Sequence, residues 1–309
     1  MAWLVAAALL AAAAFAIAYY FSERVLNIRT YPSDAILARE TELGRIEKER
    51  VDALPVEEVE IRSPYGYSLY GWFLPAEGGT SRSTVVFSHG VTSSLVGMLK
   101  YADMFRRRGF NALLYDHRRH GRSGGKHTTY GYYEKRDLGA AVDWVYDRFG
   151  ADAVVGLFGE SMGAATVLQF AAIDDRLDFV VADCPYSDLG EQLAHRLKAD
   201  YRLPPFPLLP LTSLWCKLRA GFFIRDVSPI RDLAGIRAPV LLIHGDADDF
   251  VPMRMSAAMY ERCPGSKSLY LAPGAAHAES WQRHREEYER MVEQFLRAHR
   301  LLPEAAVVG

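Results

Sequence analysis

The sequence predicts an α/β protein with a mostly parallel central sheet flanked by helices. Three observations predict it. Short apolar, often β-branched runs recur from Val56 onward, and longer amphipathic stretches separate most of them. Most of those runs are apolar throughout rather than alternating, the pattern of strands buried on both faces. The composition is that of a folded chain, with 50% of 309 residues hydrophobic and 24% charged. That balance argues against disorder, and a formal net charge of -2 gives no reason to expect a nucleic-acid partner.

The first element is unlike the rest. Met1 to Phe21 carries no charged side chain, and 21 residues at about 1.5 Å each reach roughly the 30 Å of a bilayer's hydrocarbon core. Trp3 near one end and Tyr19 and Tyr20 at the other stand where interfacial aromatics belong. Residues 1–21 are therefore expected to be an uncleaved anchor in the lipid bilayer. The competing assignment is a signal peptide cleaved after Ala16-Ile17-Ala18, but no Lys or Arg precedes the run. Arg24, Arg29 and Arg39 follow it, which favours the C-terminal bulk on the cytoplasmic side. On this reading a chain starting near Ile28 is soluble and active.

Residues 22–55 have mixed charge and no strong apolar period, and are expected to form a helical or irregular connector. The main domain is expected over 56–300, followed by a tail at 301–309. VEIRS (59–63) and YSLYGWFL (67–74) form an expected antiparallel pair around Pro64-Tyr65-Gly66. Further strands are expected at TVVFSHG (84–90), NALLYD (111–116), AVVGLFG (153–159), DFVVADC (178–184), PVLLIHG (239–245) and KSLYLAP (267–273). Helices are expected over 96–108, 132–149, 162–173, 253–262 and 280–300. Residues 187–228, rich in Pro, Leu and aromatics, interrupt the alternation as an insertion.

The chemistry centres on Gly159-Glu160-Ser161-Met162-Gly163, which follows an apolar strand and precedes an Ala-rich helix. A G-x-S-x-G in a strand-to-helix turn is a nucleophile elbow, with the hydroxyl raised at the carboxyl edge of the sheet beside a helix N-terminus. A serine at neutral pH needs a base, and the base an orienting carboxylate. In this architecture the acid and then the histidine follow the serine in the chain. The loop after PVLLI holds Asp246, Asp248 and Asp249, and the loop after KSLYLAP presents His277. Two backbone amides should face the developing oxyanion, those of Met162 and of Val91 in the loop after TVVFSHG.

The other histidines have plainer roles. His284 and His299 lie in a charged C-terminal segment, His195 sits in the insertion, and His89 is expected to shape the turn beneath the oxyanion site. His117 and His120 have no companion ligand pattern, so no metal is expected. The three cysteines, Cys184, Cys216 and Cys263, are too few and scattered for a disulfide scaffold.

Through these motifs the chain resembles the α/β-hydrolase superfamily over residues 56–300, within a serine-hydrolase branch of membrane-anchored bacterial enzymes that also resembles the ABHD-type hydrolases. The residues that carry the resemblance are Ser88-His89-Gly90, Asp116 to Ser123, Gly159 to Gly163, His244-Gly245 to Val251-Pro252, and His277. The family pattern H-G-x-x-D-x-x-V-P falls on His244, Gly245, Asp248, Val251 and Pro252, which nominates Asp248 as the acid. Asp183, at the end of DFVVADC, is the rival, because some members of the fold place the acid there. Arg119 stands where the family's D-x-R-G-H-G-x-S has its first glycine. The resemblance implies a serine hydrolase acting on a small-molecule ester or thioester without a cofactor, with amide cleavage or a non-catalytic binding role as alternatives. The insertion is expected to cap the site, with Phe206, Leu208, Leu209, Leu211 and Trp215 against an apolar acyl or aromatic group. The plainer reading is that it only covers the sheet edge.

Overall fold

Eight strands form one sheet in the order β1-β2-β4-β3-β5-β6-β7-β8. They are β1 (Glu57–Arg62), β2 (Ser68–Leu74), β3 (Ser83–Ser88), β4 (Asn111–Tyr115), β5 (Val154–Glu160), β6 (Phe179–Asp183), β7 (Val240–Gly245) and β8 (Lys267–Ala272). The structure is a computed structural model, which describes residues 1–79 and 81–303. Of the expected tail, residues 304–309 lie outside the described residues. β2 pairs antiparallel with β1 and β4, and every other pair is parallel. The fold is thus an α/β architecture with a mostly parallel sheet, as its apolar runs require.

Burial on both faces explains those runs. Along β3, Val85 and Phe87 enter one core layer while Val86 enters the other, as the two-residue strand period dictates. The first layer is aromatic, with Phe87, Phe158 and Phe179 packed against Phe105 of the helix Leu99–Arg106 and beneath the helix Arg285–Ala298. The second is aliphatic, with Val86, Leu113, Leu157, Val180 and Leu242 against the helices Glu134–Phe149 and Met162–Ala171. The expected helix over 280–300 is broken at His284, whose φ of -133° and ψ of 48° leave the helical region.

The chain passes from β3 to β4 on one side, then crosses to β5 on the other side of β3. That reversal opens a crevice at the carboxyl ends of β3 and β5, where open α/β sheets place their sites. Ser88 at the end of β3 is in register with Gly159 of β5. Contact between these strands and the following helix is too close for side chains. A Cβ on Gly163 would lie 1.8 Å from the Ser88 carbonyl oxygen, and one on Gly159 would lie 2.4 Å from the Gly163 backbone. Both obstacles are backbone, so neither can rotate away. Gly163→Ala is therefore expected to cost more than about 3 kcal/mol of stability, measured by urea unfolding.

The insertion folds as helices Leu189–Tyr201 and Leu208–Ala220, followed by short turns of helix to Asp232. It does not simply cover a sheet edge. Leu189, Cys216, Phe222 and Ile224 form a third apolar cluster with Met162 of the elbow and Val25 and Leu26 from the start of the chain.

The apolar N-terminal segment is one helix, Ala2–Leu26, longer than the expected anchor, with a mean hydropathy of 2.2 over its most apolar window. By length and composition it can cross a membrane, or act as a signal sequence. Its outer part is exposed, whereas Ala18, Ser22, Val25 and Leu26 are buried against the domain. The segment after it is partly helical, one of the two forms expected of it, and it packs against the domain. It carries helices Ser33–Glu42 and Lys48–Asp52, and Ile36 and Ile46 join the aromatic core.

Candidate active site

Ser161 sits between β5 and the helix Met162–Ala171 with φ at 56° and ψ at -113°. A non-glycine residue held at positive φ stores strain of order 1–3 kcal/mol, which the surrounding packing must sustain. The Ser161 amide donates to the Asp183 carbonyl at 2.8 Å, and the elbow glycines fix the turn from both sides. Its Oγ lies 2.9 Å from His277 Nε2. His277 Nδ1 lies 2.7 Å from Asp248 Oδ2. These three side chains come from loops after β5, β7 and β8, 116 and 29 residues apart along the chain from His277. The sheet alone brings them together.

Asp248 is held firmly. Its Oδ1 accepts the amides of Phe250 at 2.9 Å and Val251 at 2.8 Å. His244 Nε2 lies 3.1 Å from Oδ2 and 2.8 Å from the Val251 carbonyl, while its Nδ1 meets the Ser256 hydroxyl at 2.7 Å. Burial works to raise the Asp248 pKa. Hydrogen bonds from His244 and His277, the His277 charge and the Val251 amide outweigh it and hold the carboxyl well below the usual range. Asp248 is thus an anion at all physiological pH, suited to fixing the imidazole with its proton on Nδ1. The Phe250 ring packs over the imidazole with centroids 4.9 Å apart.

The rival carboxylate faces the other way. Asp183 Oδ2 accepts from Tyr288 at 2.9 Å and lies 3.4 Å from the Tyr101 hydroxyl. Burial and the neighbouring Glu160 charge push its pKa up to about 7. Behind the elbow, Glu160 accepts from Tyr101 at 2.8 Å and pairs with buried Lys100 at 2.8 Å. Burial would raise the Glu160 pKa, but Lys100 more than offsets it.

The two residues nominated for their amides border the same space. Val91, Ser161 and Met162 all line one cavity. Met162 begins its helix, so its amide has no intrahelical acceptor. Val91 owes its orientation to His89. His89 Nε2 accepts the His117 amide at 2.9 Å, which leaves the proton on Nδ1 to donate to the Gly90 carbonyl at 2.7 Å. Because the peptide is planar and trans, pinning the Gly90 carbonyl points the Val91 N–H the opposite way. Burial lowers the His89 pKa to about 4, so the ring stays neutral as this arrangement requires. Among the described residues, the one close group of metal-ligand types is Cys184, Asp248 and His277, with atoms within 4.8 Å. Two of its three members are committed to the chain of bonds ending on Ser161.

The cavity, of about 330 Å³, is walled by Tyr130, Tyr186, Leu189, Leu193, Leu208 and Leu209 among others. Of the five expected cap residues, Leu208 and Leu209 line it and the other three do not. Phe206 projects outward, Leu211 is half-buried away from the cavity, and Trp215 turns to the N-terminal helix. The helix Leu208–Ala220 presents one face to the cavity and another to that neighbour, a division a linear list of apolar residues does not reveal. Sequence reasoning missed the far wall. Phe21, Arg24, Val25 and Ile28, at the end of the N-terminal segment, also line the cavity. The spacing of three and four residues from Phe21 to Arg24 and Val25 marks one face of the helix that ends at Leu26, and is the signal that could have found them.

A sheet of this order, with a serine in a strand-to-helix elbow, is the α/β-hydrolase architecture. Comparison with known proteins agrees. Residues 79–212 match the family described as serine aminopeptidase, S33. Over 295 residues the chain is 40% identical to the protein YqkD of Bacillus subtilis (strain 168), covering 95% of this chain and 96% of that one. It is 27% identical over 288 residues to YfhR of Escherichia coli (strain K12), 90% of each chain. Among solved structures, the Pyrococcus furiosus esterase Pf2001 is similar with a TM-score of 0.67 at 28% identity, covering 82% of this chain and 96% of that one. The chain belongs to the α/β-hydrolase family.

Proposed function

We propose that the protein is a serine hydrolase of carboxylic esters or thioesters, held at a membrane by its N-terminal helix. The observation that carries this reading is the unbroken run of hydrogen bonds from Asp248 through His277 to Ser161 Oγ. Ser161 Oγ attacks the acyl carbonyl carbon and passes its proton to His277 Nε2. The Asp248 carboxylate stabilises the imidazolium so formed. The carbonyl oxygen, now an anion, accepts from the Val91 and Met162 amides. Collapse breaks the bond to the leaving alcohol or thiol, which takes the proton from His277. Water then attacks the acyl-Ser161 ester, gives a proton to His277, and releases the acid as Ser161 recovers it.

The cavity supports an apolar acyl or aromatic group. Most of its lining is hydrophobic, and the one carboxylate among its described lining residues, Asp200, is paired with Arg196. That leaves no free anion for the ammonium an aminopeptidase substrate would bring. Each methylene buried in such a pocket gains about 0.8 kcal/mol. Rates for acetate, butyrate and octanoate esters test the reading. Activity should rise with chain length, and Leu209→Ala should shift the preferred length while sparing acetate. A flat loss across the three esters would remove the pocket.

A further inference from the structure

Given the esterase reading, we infer that the substrate is a long-chain acyl ester dissolved in the bilayer, and that its chain reaches Ser161 along the N-terminal helix. Three observations converge on this. First, the helix has two working faces. Phe15, Ala18, Tyr19 and Ser22 meet the cap, with Phe15 and Tyr19 against Trp215 at 4.7 and 5.0 Å and Ser22 accepting from Arg219 at 2.7 Å. Trp215 also donates from Nε1 to the Phe15 carbonyl at 3.1 Å. Phe21, Arg24, Val25 and Ile28 instead wall the cavity that holds Ser161. One rod therefore runs from the apolar segment directly into the acyl chamber.

Second, the dimensions put the cap in the membrane. Ala2 to Phe21 is about 30 Å of helix, no more than a hydrocarbon core needs. If that length is to lie in lipid, Phe15 sits about 9 Å inside the boundary marked by Phe21, and Trp215 goes with it. The outer surface of the cap suits that depth, with Phe206 78%, Leu218 65% and Leu214 39% exposed. Its charges are placed for it too. Arg219 pairs with Glu23 just past the apolar run, and Lys217 folds back onto the Gly221 carbonyl at 2.8 Å.

Third, the junction is fastened. Arg119, with φ at 65° where the family has glycine, donates to the Ile28 carbonyl at 2.5 Å. The Thr128 amide donates to the Leu26 carbonyl at 3.0 Å, and Asn27 Oδ1 meets His127 at 2.9 Å. A mere tether would need none of these bonds. A chain starting near Ile28, expected to be soluble and active, would lack Phe21, Arg24 and Val25 from the cavity wall.

The test uses the full chain and one substrate delivered two ways. Umbelliferyl oleate is dissolved in dioleoylphosphatidylcholine vesicles carrying the protein, or presented on cyclodextrin to detergent-solubilised protein. Leu214→Glu with Leu218→Glu, which changes only outward cap residues, should slow the vesicle reaction at least tenfold while leaving cyclodextrin-borne oleate and aqueous acetate turnover within twofold. Equal rates from vesicles for parent and variant would overturn the inference. A second variant, Val25→Trp, narrows the chamber from the helix side and should lower the oleate-to-acetate kcat/KM ratio at least tenfold. An unchanged ratio would show that the helix is no part of the acyl site. The esterase reading fails separately, if acetate turnover by the parent survives Ser161→Ala.

Discussion

Ser161→Ala is expected to lower kcat for ester hydrolysis by about 10⁵- to 10⁶-fold, to the level that oxyanion donors and binding alone sustain. The loss should come without unfolding, because the residue at the elbow is held by backbone contacts, chiefly its amide to Asp183 and the clearances at Gly159 and Gly163. Alanine keeps those contacts. His277→Ala should cost nearly as much, and adding it to Ser161→Ala should cost little more, since the groups act as one unit. Parallel urea transitions for the three proteins, set beside their kcat values, separate lost chemistry from lost structure.

Asp248→Asn is the second large effect, expected at about 10⁴-fold in kcat. An amide can still accept from Phe250 and Val251, but it supplies no negative charge to His277 and favours the wrong imidazole tautomer. Asp183→Asn makes the comparison decisive. Its carboxyl meets Tyr288 and Tyr101 rather than His277, so the variant should retain most of its activity. Asp183 also gives a stability signature with a definite sign. Burial holds its folded-state pKa up at about 7 against an ordinary 3.8, so the folded chain keeps a proton that the unfolded chain has lost. Its contribution therefore worsens as pH rises from about 4 to above 7. Relative to the parent, Asp183→Asn should gain stability between about pH 5 and pH 8, measured by chemical denaturation at each pH.

The sheet and the catalytic candidates were legible for a common reason. Runs such as Val155–Phe158 and Val240–Ile243 are buried on both faces, so their chemistry is uniform and easily read. Gly159 and Gly163 are glycines because backbone occupies the space of a Cβ, and that constraint surfaces as a motif. The cap and the N-terminal segment were only half legible. Phe206, Leu211 and Trp215 read the same as Leu208 and Leu209, because hydrophobicity does not say which of three apolar surroundings a residue will meet. Cavity, neighbouring helix and outer surface all accept it. The charged residues after Phe21 made residues 22–55 resemble a linker, while Val25-Leu26, Ile36 and Ile46 were short, widely spaced apolar positions among them. Their partners lie far along the chain, as Arg119 lies 91 residues from Ile28, and such pairings leave no local period. Arg119 itself stood out only as a departure from a pattern.

The central claim is that Ser161 is the nucleophile of an acyl-enzyme, and the most direct measurement is the site of covalent capture. Full-length protein treated with an alkyl fluorophosphonate, digested and read by tandem mass spectrometry should carry one phosphonyl group on Ser161. The yield should fall to background in His277→Ala, whose serine has lost its base. Phosphonylation elsewhere in the chain, or none by a folded protein, would contradict the account.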